Sequence, residues 1–148
     1  MKKRLYFAYG SNLDQAQMKR RCPRARLLGK AVLPMHKLTF GGHSRMWGGA
    51  VATVKRDRNC SVDGLLYEMP KADLDRLDGF EGCPGSYLRV RRVVYDDRER
   101  ARRPLLYIQR QAIREGMPSA KYFMVLVEAY DKLGYDRREL FRAAGEER

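Results

Sequence analysis

Apolar residues in this chain fall into short, strand-like runs up to residue 110, and into a helical stripe after it. Residues 4–9 are aromatic and apolar, broken by Gly10, and read as a first strand. Asn12 then predicts a capped short helix over 14–20, with Gln15 placed to reciprocate and Pro23 ending the region. Residues 26–40 alternate enough for one or two strands around Pro34. A loop with Gly41, Gly42, Gly48 and Gly49 follows, then strands at 50–54 and 62–68, the latter entered through Asp63-Gly64. Residues 70–77 predict a short helix with Pro70 in its first turn and Gly79 just past its end. Two β-branched and aromatic runs, 87–95 and 104–110, predict two further strands joined by a charged hairpin.

Beyond residue 118 the period changes. Phe123, Leu126, Val127, Tyr130 and Leu133 recur at helical spacing behind a Ser119 cap, and Gly134 stops the run. Asp136 opens a weaker helix to about Ala144. About six strands with short helices between and after them, and no regular βαβ alternation, predict an α+β fold. The long helix then lies against a strongly bent or closed mixed sheet; the pattern fits either form.

Length and composition narrow the class. A chain of 148 residues with 44% apolar content is expected to form one globular domain, despite 33% charged residues. Apolar stretches such as 122–127 are far shorter than the ~20 residues that cross a bilayer, so no membrane partner is expected. The basic start, Met1-Lys2-Lys3-Arg4, is followed by a run too short and too aromatic for a signal peptide, which leaves the cytoplasm as the expected compartment. Cys22, Cys60 and Cys83 are odd in number and suit free thiols, and two histidines without a C-x-x-C pair do not make a zinc site. The net charge of +13, with eight arginines between residues 89 and 110, would attract anions. No helix-turn-helix, RNA-recognition or finger pattern accompanies it, so it reads as a solvated surface and nucleic acid is not an expected partner.

Two segments have the makings of chemistry. Tyr9-Gly10-Ser11-Asn12-Leu13 stands at a strand-to-helix turn, where Gly10 admits a ligand close to the backbone. N–H groups at the helix start, with Ser11 and Asn12, suit a carboxylate or an oxyanion, although the same turn also reads as a plain Asn-capped helix start. In residues 77–85, Glu81 sits among glycines and Pro84, with Phe80 placed to shield it and raise its pKa; a solvated glutamate in a turn is the other reading. Ser11 lacks the G-x-S-x-G elbow, Cys22 or Cys83 with a histidine reads better as an incidental thiol, and the 41–49 loop has no phosphate-cradle spacing. That loop is expected to be a hairpin tip over a pocket, with His43 and Trp47 on its rim.

Taken in order, Tyr-Gly-Ser-Asn-Leu after a first strand, Leu77-Asp78-x-x-Glu81-Gly82, Tyr87-x-Arg89 and Pro118-Ser119-x-x-Tyr122 resemble the γ-glutamylcyclotransferase-like family, which includes the AIG2-like proteins. The resemblance spans nearly the whole chain. It implies a small mixed β-barrel of about six strands with flanking helices, and a pocket where the 9–13 loop faces Glu81. It implies an intramolecular reaction in which a γ-glutamyl amide cyclises to 5-oxoproline and releases an amine or amino acid, with no cofactor or metal. The partner is then a small γ-glutamyl compound. Glu81 is the expected acid/base, the N–H groups of 10–13 the expected anion holder, and Tyr9, Tyr87 and Tyr122 the pocket lining. Arg89 is expected either to fix its segment or to draw in the anionic substrate. Leaving-group selection is expected from the 41–49 loop and the 96–103 hairpin. The alternative is a non-catalytic binder of the same fold, for nucleic acid or another polyanion. The oligomeric state is not legible in this pattern.

Overall fold

The computed structural model describes residues 2–83, 85–110 and 114–145, so Met1 of the basic start and Pro84 of the glutamate segment lie outside the described residues. The chain runs β1 (Lys3–Ala8), a 3-10 turn (Ser11–Leu13), α1 (Gln15–Arg21), β2 (Arg26–Ser44), β3 (Gly49–Pro70), α2 (Lys71–Glu81), β4 (Tyr87–Arg91), β5 (Val94–Asp96), β6 (Ala101–Arg102), β7 (Leu105–Gln109), α3 (Ala120–Leu133) and α4 (Arg138–Ala143). The strands form one seven-stranded mixed sheet in the order β4-β7-β1-β3-β2-β5-β6. Only the β1–β7 pair is parallel, through Tyr6 opposite Leu105, and the other neighbours are antiparallel. The sheet curls into a half-barrel, with Phe7, Leu33, Leu66, Leu106, Leu126 and Leu140 fully buried in its core.

The expected strands at 26–40, 50–54 and 62–68 are arms of one long hairpin, β2 of 19 and β3 of 22 residues. Pro34 does not end its strand. The register slips between Pro34 and His36, Met35 takes φ 59°, and the ladder continues beyond this bulge. Residues 55–61 of β3 lack an apolar signal because most of them face solvent, and 57–60 bulge out of the ladder between the Ser61–Pro34 and Arg56–His36 pairs. The expected strand at 87–95 divides in two. β4 pairs with β7 at one edge and β5 with β2 towards the other, so the chain crosses the barrel at Arg92 and Val93.

Helix boundaries follow from local caps. Ser119 Oγ accepts from the N–H of Tyr122 at 3.2 Å, as the sequence predicts, and Gly134 closes α3 at φ 75°. Ser119→Ala is expected to cost about 1 kcal/mol in urea unfolding, while Ser119→Gly costs a few tenths. α4 starts at Arg138, slightly later than expected, and the Asp136 carboxylate accepts from the Arg138 N–H at 2.9 Å. α2 runs four residues past its expected end, because Gly79 is tolerated inside it and Gly82 supplies the left-handed terminus at φ 69°. This extension makes Glu81 the last helical residue.

β1 is short, and its pairing with β3 stops at Ala8 opposite Leu65. Beyond that point β7 meets β3 through side chains instead. The Gln109 N–H donates to Thr53 Oγ1 at 3.0 Å, and Gln109 Nε2 donates to the carbonyls of Gly41 at 2.9 Å and Val51 at 3.2 Å. The chain leaves β1 into this gap, which positions the 9–13 turn.

Candidate active site

The turn after β1 closes on itself. The Leu13 N–H donates to Gly10 O and the Asp14 N–H to Ser11 O, both at 3.0 Å. This 3-10 turn moves the helix start onward, so Asp14, and not Asn12, caps α1 by accepting from Ala16 N at 3.1 Å. The Asn12 side chain is thereby released from capping and points inward, with 2% of the residue exposed. Its Nδ2 donates to Tyr6 OH at 2.9 Å and to Glu81 Oε1 at 3.1 Å. Its Oδ1 accepts from Gln17 Nε2 at 3.0 Å and from an Arg21 terminal nitrogen at 3.2 Å. Both amide donors and both acceptor positions are used, and a flipped amide would aim donors at donors. Gln17 Nε2 also donates to Ser11 Oγ at 2.8 Å, so one side chain of α1 holds two residues of the turn.

Glu81 reaches the same place from the C-terminus of α2. Burial is the main cause of its carboxyl being pushed up to about 7, and the nearby Asp78 adds to the rise. Arg21 and the Asn12 hydrogen bond act in the opposite direction. A helix C-terminus carries partial negative charge, which further disfavours a carboxylate there. Asp78 itself accepts from Tyr107 OH at 2.6 Å and from Arg89 Nε at 2.8 Å. Arg89 also binds Asp75 at 2.9 Å, so of its two expected roles it takes the fixing one, on α2 and away from the cavity.

These groups surround a cavity of about 530 Å³ lined by Tyr9, Gly10, Ser11, Asn12, Glu81, Tyr87 and Tyr122, among others. Seven of the eight residues expected from the sequence to form the site therefore meet here. Leu13 does not: it is 2% exposed, belongs to the core, and its N–H is committed to Gly10. The tyrosines are fixed by their hydroxyls. Tyr9 OH donates to Tyr107 O, and Tyr87 OH donates to Ala52 O at 2.6 Å. Tyr122 OH accepts from the N–H of Ala52 at 2.9 Å, and a backbone hydrogen bond from Ser11 also reaches it. That hydroxyl keeps its own proton to offer to the cavity. Burial raises the pKa of Tyr6, Tyr9, Tyr87, Tyr107 and Tyr122, which keeps all five phenols neutral.

Phe80 does not seal Glu81 as expected. It is 50% exposed, and its ring lies 4.9 Å from the Arg21 guanidinium, while Glu81 is desolvated by the protein around the tyrosine-lined cavity. The tip of the β2–β3 hairpin contributes His43, Arg45, Met46 and Trp47 to the wall, and the Trp47 ring packs edge-on to Tyr122 at 5.1 Å. Of the two loops expected to choose a leaving group, only this one lines the cavity; the 96–103 hairpin belongs to β5 and β6 at the far edge. Sequence reasoning misses Tyr6, Gln17, Arg21, Tyr107 and Gln109. Gln17 and Arg21 had a signal, being four apart on one face of α1. Among the described residues no three His, Cys, Asp or Glu side chains converge as a metal site would need, and no helix is long and apolar enough to cross a membrane.

Residues 6–123 match the model of the family described as "Gamma-glutamyl cyclotransferase, AIG2-like". The human protein named gamma-glutamylcyclotransferase is 39% identical over 82 residues, covering 53% of this chain and 44% of that protein. Its mouse counterpart is 34% identical over 99 residues, covering 64% and 53%. The chain thus spans about half the length of the curated relatives it matches. A solved structure titled "Gamma-glutamyl cyclotransferase" superposes with a TM-score of 0.84 at 28% identity, over 90% of this chain and 81% of that one.

Proposed function

The chain belongs to the gamma-glutamyl cyclotransferase, AIG2-like family, and on that premise we propose that it converts a γ-glutamyl amide into 5-oxoproline and a free amine or amino acid, with Glu81 carrying the proton. The substrate supplies both reacting groups, since its α-amine attacks its own γ-carbonyl. Folding it into a ring-like pose therefore accounts for much of the rate through proximity. The α-ammonium must first lose a proton, and the departing nitrogen must later gain one. A single group can do both if it titrates near the working pH. The observation that carries this reading is Glu81, a carboxyl pushed up to about 7, held by Asn12 in the wall of a cavity of about 530 Å³.

The steps balance within substrate and protein. Glu81, as carboxylate, accepts a proton from the α-ammonium, and the freed amine forms a C–N bond to the γ-carbon. The carbonyl oxygen becomes an oxyanion, for which the N–H groups of Gly10 and Asn12 and the Tyr122 hydroxyl are the available donors. Glu81 returns that proton to the leaving nitrogen, and the original amide C–N bond breaks as the carbonyl re-forms. The Glu81 carboxylate then takes the second proton from the ring nitrogen, which the new bond has left cationic, and passes it to the released amine. The hairpin tip at 42–47 lines the cavity, so it is the place to seek substrate preference.

The test is mass-spectrometric detection of 5-oxoproline from a panel of γ-glutamyl amino acids and γ-glutamyl amines incubated with purified protein. Product with any panel member supports the reading, and the preferred member identifies the leaving group. No product from folded protein, together with polyanion binding that weakens steeply as salt rises, would overturn it in favour of a binder.

A further inference from the structure

Arg21 is an unusual residue for the end of a basic run. Its neighbours Lys19 and Arg20 are exposed, whereas Arg21 is 7% exposed and forms part of the cavity wall. Buried cations are normally paired with carboxylates. Among the described residues Arg21 has no carboxylate within ion-pairing distance, and the contacts it does make are Asn12 Oδ1 at 3.2 Å and the Phe80 ring at 4.9 Å. Asn12 passes on from there to Glu81 at 3.1 Å. A full positive charge is therefore enclosed two hydrogen bonds from the carboxyl that handles the proton.

The other groups facing Glu81 do not substitute for it. From β1 comes Tyr6, from the turn after it Tyr9, from β4 Tyr87, from β7 Tyr107 and from α3 Tyr122, all phenols that burial keeps neutral. Cys22, at the end of α1, is pushed up to about 11, chiefly by burial, and is likewise neutral. Asp78, on α2 itself, is negative and is held by Arg89 at 2.8 Å and Tyr107 at 2.6 Å. His43 and Arg45 line the cavity from the hairpin tip, but both are exposed and solvent screens them. Arg21 is the one enclosed cation in this set.

We propose that Arg21 is a positioning residue of this site: its enclosed guanidinium, acting across the Asn12 amide, sets the charge state in which Glu81 meets the substrate. The role rests on Glu81 being the proton carrier. Burial and Asp78 both favour the protonated acid, which cannot accept a proton from the α-ammonium. Arg21 opposes them and keeps a substantial fraction of Glu81 as carboxylate near neutrality. The hydrogen bond it donates to Asn12 Oδ1 also helps present the Asn12 donors to Glu81, but the charge is the essential part.

The experiment is a carboxyl titration by carbon NMR on full-length protein labelled at the glutamate side-chain carbonyl carbon, with the Glu81 signal assigned by its loss in Glu81→Gln. Arg21→Gln is expected to raise the Glu81 midpoint by about one pH unit or more, the usual effect of removing a nearby opposite charge. Arg21→Lys keeps the charge and loses the planar guanidinium, and its midpoint is expected to stay close to the parent value. Should Arg21→Gln fail to fold, Arg21→Met, whose unbranched chain refills the space over Phe80, takes its place. An unchanged midpoint in the neutral variant, or a lysine variant that moves as far as the neutral one, would overturn the proposal. In turnover, the acidic limb of kcat/KM is expected to shift by the same amount as the titration. The titration needs no substrate, so a protein that forms no 5-oxoproline would sink the cyclotransferase reading while the role of Arg21 is still measured.

Discussion

Glu81→Gln is expected to lower 5-oxoproline formation by about 10² to 10⁴-fold, the usual contribution of a positioned acid/base, and to make the protein more stable at pH 8. The two effects have one cause. In the native state the Glu81 carboxyl is pushed up from 4.5 to about 7, mainly by burial. Between those values the folded chain holds a proton that the unfolded chain has released. Stability therefore falls as pH rises from about 4.5 through about 7, by an amount on the order of 3 kcal/mol once both states are ionised. Glutamine carries no charge and avoids this loss. Urea unfolding of parent and variant at pH 4 and pH 8 checks it: near-equal stability at pH 4 and a clear advantage for the variant at pH 8. An equally stable pair at pH 8 would mean that Glu81 is not strained in the folded state, and the argument for its proton role would lose its basis.

The second large effect is expected at Gly64, which does not itself line the cavity. A Cβ there would lie 2.4 Å from the carbonyl oxygen of Ala8 and 2.4 Å from the Phe7 ring. One contact is backbone and the other a fully buried side chain, so neither can move aside cheaply. Gly64→Ala is expected to cost about 3 kcal/mol or more, seen as a melting temperature lower by roughly 10 °C for a chain of this size. The strand it displaces is β1, which carries Tyr6 and leads into the 9–13 turn, so surviving protein should also bind substrate poorly. Gly79→Ala is the contrasting change. Nothing lies within 4 Å of its added Cβ, and the residue is helical, so a gain of up to about 1 kcal/mol is expected there.

How far the sequence can be read depends on whether a signal is local. β1 and α3 were legible because their apolar spacing and breakers, Gly10, Ser119 and Gly134, act within a few residues. The 9–13 loop and Glu81 were legible as candidates because small residues flank both. The long arms β2 and β3 were not, because the exposed stretch 55–61 has the polar composition of a loop and residues 57–60 do bulge out of the ladder, so nothing local shows that the strand resumes beyond them. The division of 87–95 was hidden for a related reason. Its residues suit a strand throughout, and the switch from β7 to β2 as partner is a property of the assembled sheet.

Within the site, the signal failed at charges. Arg21 follows Lys19 and Arg20, and such a run reads as solvated surface; only the phase of α1 separates the inward arginine from its neighbours. Asn12 was read as a cap because a residue of that type before a helix usually is one, and the 3-10 turn that hands this task to Asp14 leaves no separate mark in the sequence. The arginines between 89 and 110 proved in part to be local fasteners. Arg100 and Arg102 both bind Asp96, and Arg89 binds Asp75 and Asp78. The crowding of arginines in that segment thus overstates how many of its cations are free to meet a polyanion.

The junction of β7 with the upper part of β3 has a consequence for how such a protein can diversify. Where two strands are zipped by main-chain hydrogen bonds, their spacing is fixed near 4.8 Å whatever the side chains are. Beyond Ala8 that zipper is missing, and much of the closure is entrusted to Gln109. The aperture beside the candidate site is therefore encoded in a replaceable side chain. A descendant can widen, narrow or retune it by substitution at this position, or in the adjoining hairpin tip, without unpicking a single rung of the sheet.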